Sequence, residues 1–164
     1  MHATTNLTTA IATAGLIFAA CGDDPEPLSK PQFVAQANAI CQTTNDQLVP
    51  IFENVWAIED DVDPTDPANE LLIFARWDEA MDEVVPIVDE QLDDLRELSP
   101  PAEDEDLIET LFADQESAIA DFAGLMDAAA GGDQAAMAEL ELDDPFDDIN
   151  RRAREYGLTV CGEE

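Results

Sequence analysis

From residue 33 onward, apolar side chains return at intervals of three and four positions, and each run stops at prolines or glycines. Side chains so spaced share one face of an α-helix, whereas a half-buried strand would need strict alternation. Phe33, Ala37, Ile40, Cys41, Thr44, Leu48, Phe52 and Val55 trace the first such face. Ser29-Lys30-Pro31-Gln32 opens that helix, with Ser29 as N-cap, Pro31 in the first turn and Gln32 completing a capping box. Pro50 predicts a kink, because it removes one backbone bond and crowds the preceding turn. Residues 59–67 form an acidic loop in which Thr65 or Asp66 can cap the next helix, with Pro67 at its first position.

A second helix is expected over 67–98, with Leu71, Phe74, Trp77 or its neighbour, Met81, Val84, Val88, Leu92 and Leu95 inward and a kink at Pro86. Ser99-Pro100-Pro101 stops it. The third, over 102–130, turns Leu107, Leu111, Ala118, Phe122, Leu125 and Ala129 inward and ends at Gly131-Gly132 through a left-handed cap. Asp133 caps a fourth, carrying Ala136, Met137 and Leu140. It is interrupted at Asp143-Asp144-Pro145 and resumes with Phe146, Ile149, Ala153 and Tyr156 as far as Gly157. No alternating run is long enough for a sheet. The expected fold class is therefore all-α: an up-down-up-down four-helix bundle with proline-kinked helices, over residues 29–164.

The segment before the bundle has a different character. Residues 8–20 are uncharged, mostly apolar, and too short to span a bilayer, which takes about 20 apolar residues. They end in Ala19-Ala20 before Cys21, a small-residue pattern suited to peptidase access. This looks like a bacterial lipoprotein cleavage site, which would make 1–20 a cleaved signal peptide, Cys21 the lipid-attachment residue and 21–28 a lipidated tether. Phe18 stands where Leu is usual, and residues 1–9 carry no Lys or Arg. His2 and the amino terminus then supply the n-region charge, or the true start lies upstream of Met1. The expected location is the cell membrane, lipid-anchored, on the extracytoplasmic face. The alternatives are a secreted, unanchored protein and a buried N-terminal helix whose cysteine is incidental.

All 39 acidic and 6 basic residues follow Cys21, so the mature chain keeps the whole net charge of −33. A nucleic-acid partner is excluded, since there is no basic patch to displace phosphate counterions. Disorder is disfavoured by a hydrophobic content of 46%, because disordered chains combine high charge with low hydrophobicity. One lysine, five arginines and so many carboxylates suit a salty or calcium-rich setting.

With Cys21 acylated, Cys41 and Cys161 remain, and an exported domain normally oxidises such a pair. In the expected bundle the start of the first helix and the end of the fourth lie at one end, so a Cys41–Cys161 disulfide is predicted. A loop of that length contributes roughly 4–5 kcal/mol through the unfolded state. Phe33, Ala37, Ile40 and Cys41 near the start, Leu98-Ser99-Pro100-Pro101-Ala102-Glu103 in the middle, and Tyr156-Gly157-Leu158 with Cys161-Gly162 at the end resemble small uncharacterised actinobacterial lipoproteins. That resemblance implies a disulfide-closed helical domain and no known activity.

The mature chain has no histidine, which excludes Ser-His-Asp catalysis, histidine zinc sites and the Glu-x-x-His pairs of di-iron bundles. Ser29 beside Lys30, the only lysine, reads better as a helix cap than as a nucleophile. Carboxylates are too abundant for any chance pair to signify glycoside hydrolysis. Asp60, Asp61, Asp63 and Asp66 are weak candidate calcium ligands, since calcium takes six to eight oxygens. They miss the EF-hand pattern, where position six is Gly and here is Asp66. Trp56, Phe74 and Trp77 read as core at helical spacing, with a ligand groove as the other option. Arg151, Arg152 and Arg154 are expected to offset the helix dipole and form local ion pairs. No enzyme activity and no cofactor is expected. The partner is the membrane, through the lipid on Cys21, and the function is that of a binding or interaction module, with a calcium-binding envelope protein as the alternative.

Overall fold

The computed structural model describes residues 26–59, 62–63, 66–140, 142 and 144–162. Residues 1–20, Cys21 and the tether through Pro25 lie outside that set, as do Asp60 and Asp61. The described residues form five α-helices and no strand: α1 Lys30–Glu59, α2 Pro67–Arg96, α3 Glu105–Ala130, α4 Gln134–Leu140 and α5 Asp147–Tyr156. The chain is all-α and bundle-like. Helix α2 packs between α1 and α3, while α4 and α5 pack on α3.

Local chemistry sets the helix ends. At the start of α1 the Gln32 side-chain oxygen accepts from the Ser29 backbone N–H at 3.2 Å and from its hydroxyl at 2.6 Å. Asp66 begins α2, its carbonyl accepting from Asn69 and Glu70. Helix α3 starts later than the sequence suggests. The Asp104 N–H bonds to the Pro101 carbonyl, and its carboxylate accepts from the Tyr156 hydroxyl instead of capping the helix. The left-handed residue after α3 is Gly132 (φ 87°). Asp133 Oδ1 then accepts from the N–H groups of Ala135 and Ala136, capping α4.

Both internal prolines are accommodated: α1 runs through Pro50 and α2 through Pro86, and each proline is exposed. The carbonyls they leave unpaired belong to Asp46 and Asp82, which are also exposed, so water can satisfy them. The predicted fourth helix is two helices. Pro145 and its acidic neighbours separate α4 from α5, and Asp144 Oδ1 accepts the Phe146 N–H at the entrance to α5.

One core joins Phe33, Ala37 and Cys41 of α1 to Met81, Val84, Val88, Leu92 and Leu95 of α2. Ile108, Leu111, Phe112, Ile119 and Met126 of α3 and Ala153, Tyr156 and Leu158 complete it. A smaller cluster of Ala129, Ala136 and Met137 seals α4 onto α3. Two predicted inward residues are exposed, Leu71 and Leu107. The inward stripe of α3 runs through Ile108, Leu111 and Phe112, which puts Leu107 about 100° from Ile108. Leu71, the fifth residue of α2, lies beside Gly132.

Candidate functional site

No Cα of α1 comes within 8 Å of a Cα of α3, α4 or α5 among the described residues. The helices instead face one another across a cleft of about 730 Å³. Its most buried walls are Met81, Val84, Val88, Leu92 and Leu95 from α2, Leu111, Phe112 and Ile119 from α3, Ala153 of α5 and Leu158 beyond it. Its most exposed hydrophobic lining residues are Val49 and Trp56 of α1, each about half exposed.

Two aromatic groups border this space. Phe52 stands 5.9 Å from Trp56 and 5.8 Å from Trp77, centroid to centroid, which bridges α1 to α2. Phe122 of α3 meets Phe146 edge to face at 5.6 Å. Trp56 is 50% exposed, so the expectation of a core residue fails for it. The reason is the separation of α1 from α3 and α5, which leaves the cleft-side face of α1 uncovered while the neighbouring Val55 stays buried. Trp77 also lines the cleft, whereas Phe74 packs beside the α3–α4 cluster instead.

The polar lining consists of amides and carboxylates: Gln42, Asn45, Gln91, Gln115 and Asn150, with Asp46 and Asp144. No lysine, arginine or histidine is among the lining residues. Gln42 donates to Asp46 at 2.9 Å, and Gln91 donates to Cys41 Sγ at 2.9 Å. A second groove, of about 400 Å³, lies on the α1–α2 seam among residues such as Thr43, Gln47, Glu90 and Asp94, and has no aromatic side chain in its lining.

The chain beyond α5 closes one side. Cys41 and Cys161 form the predicted disulfide, with Cα atoms 5.1 Å apart. Asn38 donates to the Gly157 carbonyl at 3.2 Å and accepts from the Val160 N–H at 3.0 Å, and Asn45 donates to the Val160 carbonyl at 3.4 Å. These two asparagines were not singled out from sequence. The available signal was their spacing, three before and four after Cys41, which puts them on its face. Gly157 turns the chain back at φ 117°, a conformation that other residues reach only with strain. A Cβ at Gly162 would meet the Asn150 carbonyl at 2.6 Å.

Below this strap, the Tyr156 hydroxyl donates to Asp104 Oδ2 at 2.8 Å, and Lys30 Nζ sits 3.7 Å from the centre of the same ring. Burial, followed by the Asp104 hydrogen bond and charge, pushes the phenol pKa well above its ordinary value. The arginine cluster forms ion pairs: Arg151 with Asp148 and Glu155, and Arg152 with Asp114 of α3 and Asp148. Arg154 donates to the Gly162 carbonyl. The Arg151 hydrogen bond holds the Asp148 carboxyl below its usual range.

Of the candidate calcium ligands, Asp60 and Asp61 lie outside the described residues. The Asp63 carbonyl accepts from the Asp66 N–H and from the Asn69 side chain. Among the described residues, no three His, Cys, Asp or Glu side chains cluster closely enough to hold a metal ion. No described helix is long and apolar enough to cross a membrane. No protein-family model, curated protein or solved structure matches this chain.

Proposed function

We propose that this chain is an exported, lipid-anchored, non-enzymatic binding module whose helical bundle holds an apolar small molecule in the cleft. The cleft carries this reading. Its volume of about 730 Å³ falls within the range of small-molecule sites, and an apolar wall with a few polar groups is their usual composition. Its lining holds no Ser, Thr, Lys or His, and its one cysteine, Cys161, is held in the disulfide.

The anchor rests on the sequence around Cys21 and on the resemblance to small actinobacterial lipoproteins. It puts the domain on the outer face of the cell membrane, where a disulfide persists. The up-down-up-down order, with α4 and α5 as one divided leg, is supported by three ties. Leu28 N–H to Ser99 carbonyl joins the start of α1 to the end of α2. Tyr156 to Asp104 joins the end of α5 to the start of α3, and Phe33 against Tyr156 joins it to the start of α1.

The test uses N-phenyl-1-naphthylamine, an uncharged apolar dye that fluoresces when desolvated. Saturable one-site binding to the mature domain is expected. It should be lost in Gln115→Trp, which fills the cleft from a half-buried position, with the helical spectrum retained. Absent or non-saturable binding, or an unaffected Gln115→Trp, overturns the reading. For the anchor, palmitate labelling is expected in the wild type and not in Cys21→Ser. Equal labelling of the two refutes lipidation at Cys21.

A further inference from the structure

The geometry points to a cationic amphiphile as the occupant of this cleft: an apolar body against the α2–α3 wall and one ammonium head at the aromatic, acidic rim. This rests on the reading of the cleft as a small-molecule site, and adds to it the charge of the ligand.

The lining itself argues the sign. Asp46 on α1 and Asp144 before α5 are both exposed and both line the cleft, and no basic side chain opposes them. An anionic amphiphile, such as a fatty acid, would bring its carboxylate to a space whose only charged groups repel it. A group desolvated without a compensating partner is strongly disfavoured. An ammonium head meets the reverse. Asp46, six residues before Phe52 on α1, and Asp144, two before Phe146, attract it into the cleft they line, and the Phe52–Trp56–Trp77 group, with Trp56 half exposed, supplies ring faces of the kind that hold quaternary ammonium ions. Gln115 and Asn150 line the same space. They can serve a polar substituent of either character, so they do not decide the sign. The net charge of −33 adds a long-range field that concentrates cations near the protein, but a field of that kind is screened by salt. Groups at the rim act at shorter range, and this difference makes the local assignment testable.

Three amphiphiles of equal chain length are titrated into the oxidised mature domain by calorimetry, each below its micelle concentration: dodecyltrimethylammonium, the uncharged dodecyldimethylamine oxide at mildly alkaline pH, and dodecanoate. The expected order of affinity is cation, neutral, anion, with about a tenfold gap between the first two. A clear part of that gap should persist at about 1 M salt, where the Debye length is about 3 Å. The double variant Asp46→Asn/Asp144→Asn should bring the cation within about threefold of the neutral compound. Asn keeps the acceptor that receives the Phe146 N–H, so the entrance to α5 is preserved. The matched control Asp89→Asn/Asp121→Asn removes two exposed charges outside the cleft and should leave the preference intact. Equal loss in both double variants overturns the proposal, because the preference then belongs to the general field. Equal binding of all three compounds also overturns it but leaves the cleft as a site. If none of the three binds, the reading of the cleft fails together with it.

Discussion

The two halves of α1 have the same rhythm in sequence and opposite fates in the fold. In the first half Phe33, Ala37 and Cys41 are 0% exposed. The chain after α5 lies over them, tied by the disulfide, Asn38 and Asn45, with Tyr156 packed edge-on against Phe33. In the second half Val55 is still buried, but Leu48 and Phe52 are only partly buried and Trp56 is half exposed, and these three border the cleft. Helical periodicity thus states which face points inward and leaves open whether anything arrives to cover it. The closed half concentrates the stabilising contacts, and the open half is relieved of them and retains space for a ligand.

The largest expected effect comes from opening the closed half. Reduction of Cys41–Cys161, or the Cys41→Ala/Cys161→Ala variant, should destabilise the domain by roughly 4–5 kcal/mol, since the bond closes a 120-residue separation. For a domain of this size that lowers Tm by roughly 10–15 °C, read from helical melts with and without reductant. Coincident melts would mean that the strap stays closed through its hydrogen bonds and packing alone. The next largest effect is a matched pair on one helix. Phe33→Ala should cost about 3–4 kcal/mol in urea unfolding, and Phe52→Ala about 1 kcal/mol, because the second ring leaves little new cavity. Equal costs would dissolve the distinction between the halves.

How far the sequence discloses this arrangement depends on the range of the interactions involved. Short-range signals are legible: Asp133 capping α4, Asp66 before Pro67, and the arginines of α5 paired with acids within the helix. The Cys41–Cys161 pairing is legible as well: the expected export and the expected helix order both point to it, and the bond is there. The cleft is not. It arises where α1 and α3 fail to approach, and Trp56 has the same spacing it would have in a filled core. Asn38 and Asn45 were equally silent, since an asparagine on a helix gains a role only when the returning chain passes beside it. Leu107 shows the remaining limit: stepping back by four from Leu111 gives Leu107, while the buried stripe steps back by three to Ile108.

The smallest expected effect isolates one polar contact within the closed half. Tyr156→Phe keeps the ring against Phe33 and beneath Lys30 and removes only the hydroxyl that donates to Asp104. At neutral pH the loss should be about 1 kcal/mol. The phenol pKa is raised in the folded state above its ordinary value of 10.0, so the folded protein holds this proton more tightly than the unfolded chain does. The linked stability is complete below about pH 10 and is lost as pH climbs through the raised folded value. Urea unfolding of wild type and Tyr156→Phe from about pH 8 to about pH 12 should therefore show a gap that narrows on the alkaline side. A constant gap would mean that the hydroxyl contributes through shape alone. The closed half would then be held by packing and covalent closure, with no polar component at this contact.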